Sequence, residues 1–254
     1  MKPISSLLRV GFSRALFSWN FLLSVSMVTV VLLMTSIGMI NPQSDVLSVA
    51  IISGSGNIPL IVGILPLLPF AITFASEWEE RAVSFWIIRS GVRAYAISKL
   101  MVSAASGFLT TFTGILLHVL LLRIQLPLYT TFQTGDAYAV LLDAGKPWTY
   151  LLSAAAHLSL SSALFAVIAL WISAYIPNKW TALTAPVVLY FVWLRLTRYW
   201  DIPPFLNPGM LVEGTYHAGS PMASLLFKFG MVMCLIWLMG YGTIGQIGRR
   251  VQHD

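Results

Sequence analysis

Two histidines, His118 and His157, lie inside long apolar runs, and an ionisable side chain in such a run is a functional candidate by default. Imidazole there could exchange protons, hold a metal or bond to a neighbouring helix. Neither residue belongs to a His-Glu-x-x-His pair, the spacing that places two ligands and a base on one helical face, so no metal site is read here. His157 has the richer surroundings, with Ser159, Ser161 and Ser162 close in sequence. For both, the residues favour a polar link between packed helices over catalysis. Cys234 is the single cysteine and cannot form an internal disulfide; it reads as a small buried hydrophobe. No G-x-x-x-x-G-K-[ST] loop occurs, so ATP hydrolysis by that route requires another chain.

The elements that must position these residues follow from composition. Of 254 residues, 57% are hydrophobic and 9% charged, whereas soluble domains carry about 25% charged residues. The chain belongs in a bilayer as a single all-α membrane domain over 1–254. About 20 apolar residues cross the hydrocarbon, and the pattern gives about six spans: 20–40, 58–75, 100–122, 150–173, 180–199 and 223–243. Residues 2–19 read as an amphipathic helix lying in the membrane interface and retained in the mature chain, since the apolar run after it is long enough to span. The second span contains Pro59, Pro66 and Pro69 and is expected to kink. Small residues recur at four-residue spacing in the third span (Ser103, Gly107, Thr111) and the fourth (Ala155, Ser159, Ala163), which permits close helix packing. The connections at 41–57 and 201–222 read as loops rich in turn-forming residues.

One stretch, 76–99, is densely charged between two apolar runs. Glu77, Glu79 and Glu80 come first and Arg89, Arg93 and Lys99 last, the order that complements a helix dipole. Glu77 and Arg81 stand four residues apart and could pair, and Ser90-Gly91 breaks the pattern. This arrangement, an apolar helix followed by Glu-x-Glu-Glu-Arg, an aromatic-rich turn, Arg-Ser-Gly-x-Arg-x-Tyr and a lysine, resembles the permease subunits of ABC-2 type ABC transporters, the type V exporter-like fold. The resemblance implies that 76–99 is a cytoplasmic coupling helix docking on a separate ATP-binding subunit. Glu77, Glu79, Glu80, Arg81, Arg89 and Arg93 would then lie on or beside the docking surface, with Phe85 and Trp86 filling an apolar groove or holding the helix to the membrane domain. Ala82-Val83-Ser84 stands where many members carry Gly-Thr. The resemblance further implies that this chain is not itself an enzyme and binds no cofactor, with ATP and magnesium on the partner. It also implies a second permease copy or a related permease, and export of a peptide, lipid-like or drug-like substrate. An integral membrane enzyme acting on lipids and a non-transporting scaffold or immunity protein are the rival readings.

Orientation follows from the bases. Grouping the N-terminus, 76–99, the turn at Lys179 and the C-terminus puts ten bases on one side: Lys2, Arg9, Arg14, Arg81, Arg89, Arg93, Lys99, Lys179, Arg249 and Arg250. Arg123, Lys146, Arg195, Arg198 and Lys228 make five on the other. The positive-inside rule makes the first side, with both termini, cytoplasmic in a bacterial-type plasma membrane. The net charge of +6 thus serves topology and lipid headgroups, and no nucleic-acid partner is implied. Cysteine placed at Asp136 or Glu213 in a Cys234→Ala background should react with an impermeant thiol reagent in intact cells, and cysteine at Arg89 or Arg250 should not. Labelling at position 89 from outside would reverse the topology.

Overall fold

A computed structural model describes residues 4–41, 43–130, 134–200, 203 and 207–253. Among these no strand occurs, and the chain is a bundle of helices. Among the described residues five helices are long and apolar enough to cross a membrane, or six if one sharply bent pair counts as a span. The protein is therefore a multi-pass membrane protein. Lys2 and part of the 201–222 connection lie outside the described residues.

The first helix, α1 (Ile4–Leu16), lies against α7 (Val92–Arg123). Gly11 allows this approach: a Cβ there would stand 2.8 Å from Val102 Cγ2. Ser18 then caps α2 (Trp19–Ser36), its hydroxyl accepting from Phe21 N at 3.1 Å. The stretch read as a loop at 41–57 contains a helix, α3 (Val46–Ser55), because Asp45 and Ser48 form a capping box at its start. Asp45 Oδ2 also accepts from Thr130 N at 2.8 Å and Thr130 Oγ1 at 2.9 Å, which fastens α3 to the segment following α7. Burial opposes ionisation of Asp45, but the bonds from Ser48 and Thr130 outweigh it and hold the carboxyl below the usual range.

The expected span over 58–75 is not one helix. It is divided into α4 (Ile58–Ile61), a 3-10 turn at Leu65–Leu67 and α5 (Thr73–Glu79). The cause is spacing: Pro59 and Pro66 each sit at the start of a short helical piece, where a proline is tolerated, and each ends the piece before it. The pair formed by Val46–Ser55 and Ile58–Leu67 bends by 86°. Backbone groups released by the break need partners in an apolar setting, and Thr111 Oγ1 donates to Ile61 O at 3.0 Å.

Beyond α6 (Val83–Ser90) and α7 come α8 (Val140–Asp143), α9 (Pro147–Tyr175), α10 (Lys179–Thr197), α11 (Pro208–Val212) and α12 (Pro221–His253). The third span thus begins at Val92, where the sequence alone placed it at 100. Helix α9 is the axis: 78% of its apolar window is buried, against 22% for α10 and for α12. Those two turn Trp180, Leu196, Trp237 and Tyr241 outward, as lipid-facing helices do. Cys234 is also exposed on α12, which corrects its reading as buried.

The small stripe of α7 packs on α9. A Cβ on Gly107 would lie 2.8 Å from Ser162 O and 2.9 Å from Ala166 Cβ, and Thr111 Oγ1 and Ser162 Oγ are 2.6 Å apart. Since Thr111 spends its proton on Ile61 O, Ser162 is the donor of that second bond. Gly107→Leu should therefore drive α7 and α9 apart and lower the detergent-solubilised unfolding temperature by several degrees, an overpacking cost of about 1–3 kcal/mol. A thermal melt followed by intrinsic fluorescence checks it.

Candidate functional site

The charged stretch folds into α5, a turn, α6 and the first turns of α7. Helix α5 has Phe74 and Glu77 three residues apart on one face, and both are buried. Glu77 accepts from Lys99 Nζ at 2.8 Å, Arg14 Nη1 at 3.2 Å and Tyr95 Oη at 2.7 Å. Lys99 also donates to Thr73 Oγ1 at 3.0 Å and lies 4.7 Å from the Phe70 ring centroid. The carboxylate therefore joins α1, α5 and α7. Glu77 is buried, and its ionic partners are Lys99 and Arg14, not Arg81, which corrects the expected i,i+4 pair. The reason is that Arg81 lies past the end of α5 with φ 55°, in the turn that redirects the chain into α6.

The other candidates separate by face. Glu79 pairs with Lys179 at 3.0 Å, tying the segment to the start of α10. Glu80, Arg81, Arg89 and Arg93 are exposed. Phe85 and Ile88 are 71% and 82% exposed and, with Arg89, make one outward face of α6. Trp86 turns inward, with Arg14 Cζ 5.9 Å from its ring centroid. Gly91 (φ 81°) ends α6 and lets α7 start at once. Arg250 reaches over Trp78 at 5.2 Å and donates to Tyr175 O, so the end of α12 joins the same cluster. Between them lies a recess of about 620 Å³, lined by Trp78, Glu79, Arg81, Val83, Ser84 and Val251. The segments grouped by charge at 76–99, Lys179 and the last helix thus meet at one end of the bundle, together with the C-terminal end of α1.

The histidines lie elsewhere and apart from each other. His118 is fully buried, with Nε2 at 3.3 Å from Ser36 Oγ and 3.4 Å from Ser53 Oγ, which links α2, α3 and α7. His157 Nε2 lies 2.9 Å from Gly214 O, and Nδ1 3.0 Å from Tyr138 Oη. A carbonyl only accepts, so Nε2 carries the proton and Nδ1 accepts from the tyrosine. Burial first, then the Asp136 carboxylate, pushes the Tyr138 hydroxyl up to about 12, so it remains a donor. The sequence reading missed Lys228, which is 4% exposed. Its Nζ donates to Leu211 O and stands 3.3 Å from His157 Nε2. The signal was present: a lysine inside the apolar run 223–243, counted among loop bases when it stands within a span. With Ser161 Oγ donating to Val212 O at 3.0 Å, three side chains from α9 and α12 receive the carbonyls at the end of α11.

Beside this cluster is a cavity of about 500 Å³ at the bend between α3 and α4, bounded by α7, α9 and the segment after α11. Its walls are mainly apolar, and Asp136 and Glu213 contribute carboxylates. Asp136 accepts from Tyr150 Oη at 2.5 Å and Tyr138 N at 3.0 Å; Glu213 Oε1 accepts from Tyr190 Oη at 2.8 Å. Among the described residues no group of histidine, cysteine and acids could hold a metal ion.

Lys99→Met should cost about 3–5 kcal/mol of stability, because it strips the closest cation from a buried carboxylate. Adding Glu77→Leu should restore much of the loss, and paired thermal melts of the single and double variants measure the recovery. No protein-family model, curated protein or solved structure matches the chain.

Proposed function

We propose that this chain is the membrane-spanning permease subunit of an ATP-driven ABC-2 type exporter, working with separate ATP-binding subunits and a second permease copy. The observation that carries the reading is the surface of α6. A short amphipathic helix presents Phe85, Ile88 and Arg89 outward at one end of the bundle, beside Glu80 and Arg81. Exposed aromatic and aliphatic side chains ringed by charge are the composition of a protein contact. The recess beside the α5–α6 turn offers a place for a partner's side chain.

The attachment of that helix supports the same reading. Force applied to α6 passes through the Arg81 turn to α5, and from there to α1 and α7 through Glu77, to α10 through Glu79 and Lys179, and to α12 through Trp78 and Arg250. A docking helix fixed at so many points would move with the spans as a unit, which is what coupling to ATP hydrolysis requires. Glu79 serves within the chain, so the contact with the partner falls to Glu80, Phe85, Ile88 and Arg89.

The test uses a tagged wild-type chain purified from its own membranes with the ATP-binding subunit it retains. Glu80→Lys combined with Phe85→Ala changes only exposed side chains and should reduce recovery of that subunit by about tenfold or more, as loss of a central aromatic anchor and a complementary charge does. Normal recovery with normal ATPase stimulation would overturn the reading.

A further inference from the structure

The cavity at the α3–α4 bend has a composition that selects a ligand class. Ile51, Ile58, Ile115 and Leu158 supply apolar wall, and Asp136 and Glu213 supply carboxylates, while among the described residues no lysine or arginine lines it. Lys228 lines a separate small pocket with His157, where it donates to Leu211 O, and His157, which does line the cavity, has its ring nitrogens engaged by Gly214 O and Tyr138 Oη. Glu213 is exposed, with Oε1 taken by Tyr190 and no bond to Oε2 among the described residues. Small-molecule sites have this form, a mainly apolar concavity of about 300–1,000 Å³ with a few convergent polar groups.

We propose that this cavity binds an amphipathic organic cation, with an apolar body against the isoleucines and an ammonium-type head at Glu213 and Asp136. The charge decides the class. An ammonium head gains a charge contact at Glu213 that a neutral molecule cannot make, and an anion would meet two carboxylates with no lysine or arginine among the described lining residues. The site is formed within one chain and needs neither ATP nor a partner, so it stands or falls separately from the transport reading.

Gly54 gives a clean probe. It lines the cavity near the end of α3, and a Cβ built on it meets nothing within 4 Å. Gly54→Leu therefore fills part of the space while leaving both carboxylates in the sequence, and Glu213→Gln removes charge at an exposed position while keeping an oxygen to accept from Tyr190. The chain, purified in an uncharged maltoside detergent, is titrated into rhodamine 6G and followed by fluorescence polarisation, with melts confirming that each variant is folded. Saturable binding is expected, about tenfold weaker in Glu213→Gln, the loss of one charge contact, and absent in Gly54→Leu. Dodecylamine should displace the dye and dodecanol should not. Displacement by phosphatidylethanolamine but not phosphatidylglycerol would identify a lipid headgroup as the source of the ammonium, and displacement by neither a soluble cation. Equal competition by dodecanol, unchanged binding in Gly54→Leu, or no saturable binding to the wild type would overturn the proposal.

Discussion

The Glu77 carboxylate is the constraint from which one end of this protein is built. A charge buried to this degree is stable only when its oxygens are fully engaged, and here they take bonds from Lys99, Arg14 and Tyr95. Three donors from two other helices fix where α5 can lie. Once α5 is fixed, the left-handed turn at Arg81 sets the path of α6, and Gly91 returns the chain directly into α7. The exposed face carrying Phe85 and Ile88 is therefore a consequence of a carboxylate buried elsewhere in the chain.

A second constraint acts in the body of the bundle. Three prolines within one apolar segment prevent a continuous helix, and each break releases backbone groups that hydrocarbon cannot satisfy. The fold answers by placing that segment against the hydroxyl-rich faces of α7 and α9. Thr111 takes up Ile61 O, and the close approach at Gly107 brings Ser162 within reach of Thr111. The same bend opens the space lined by Ile51, Gly54 and Ile58. Small side chains, prolines and hydroxyls that look unrelated along the chain solve one packing problem together.

Much of this was legible in the sequence, for identifiable reasons. Runs such as 150–173 and 223–243 are too long and too apolar to be anything but spanning helices, and the structure has helices over both. Ser90-Gly91 marked a real helix end because only a residue tolerant of positive φ can turn the chain so sharply there. What failed was whatever depended on direction. The acids of 76–80 are alike in type, yet Glu77 faces inward and Glu80 outward, a difference set by the rotation of α5 against α7. The helix at Val46–Ser55 was hidden because it is short and its apolar residues are flanked by turn-forming ones, whereas its formation depends on the cap at Asp45 and on Thr130, far along the chain. Lys228 was overlooked because its partner is a backbone carbonyl, which leaves no trace in a search for acids.

The attachment of α11 also has a consequence for how the chain is made. Its terminal carbonyls are received by Ser161 and His157 of α9, which emerge from the ribosome before it, and by Lys228 of α12, which emerges after it. A nascent chain in which α9 and α11 have emerged but α12 has not would hold this short helix by one flank only, with Leu211 O still wanting the Lys228 donor. Helix α12 is thus also the latch, and this end of the bundle is sealed only once Lys228 has reached Leu211 O.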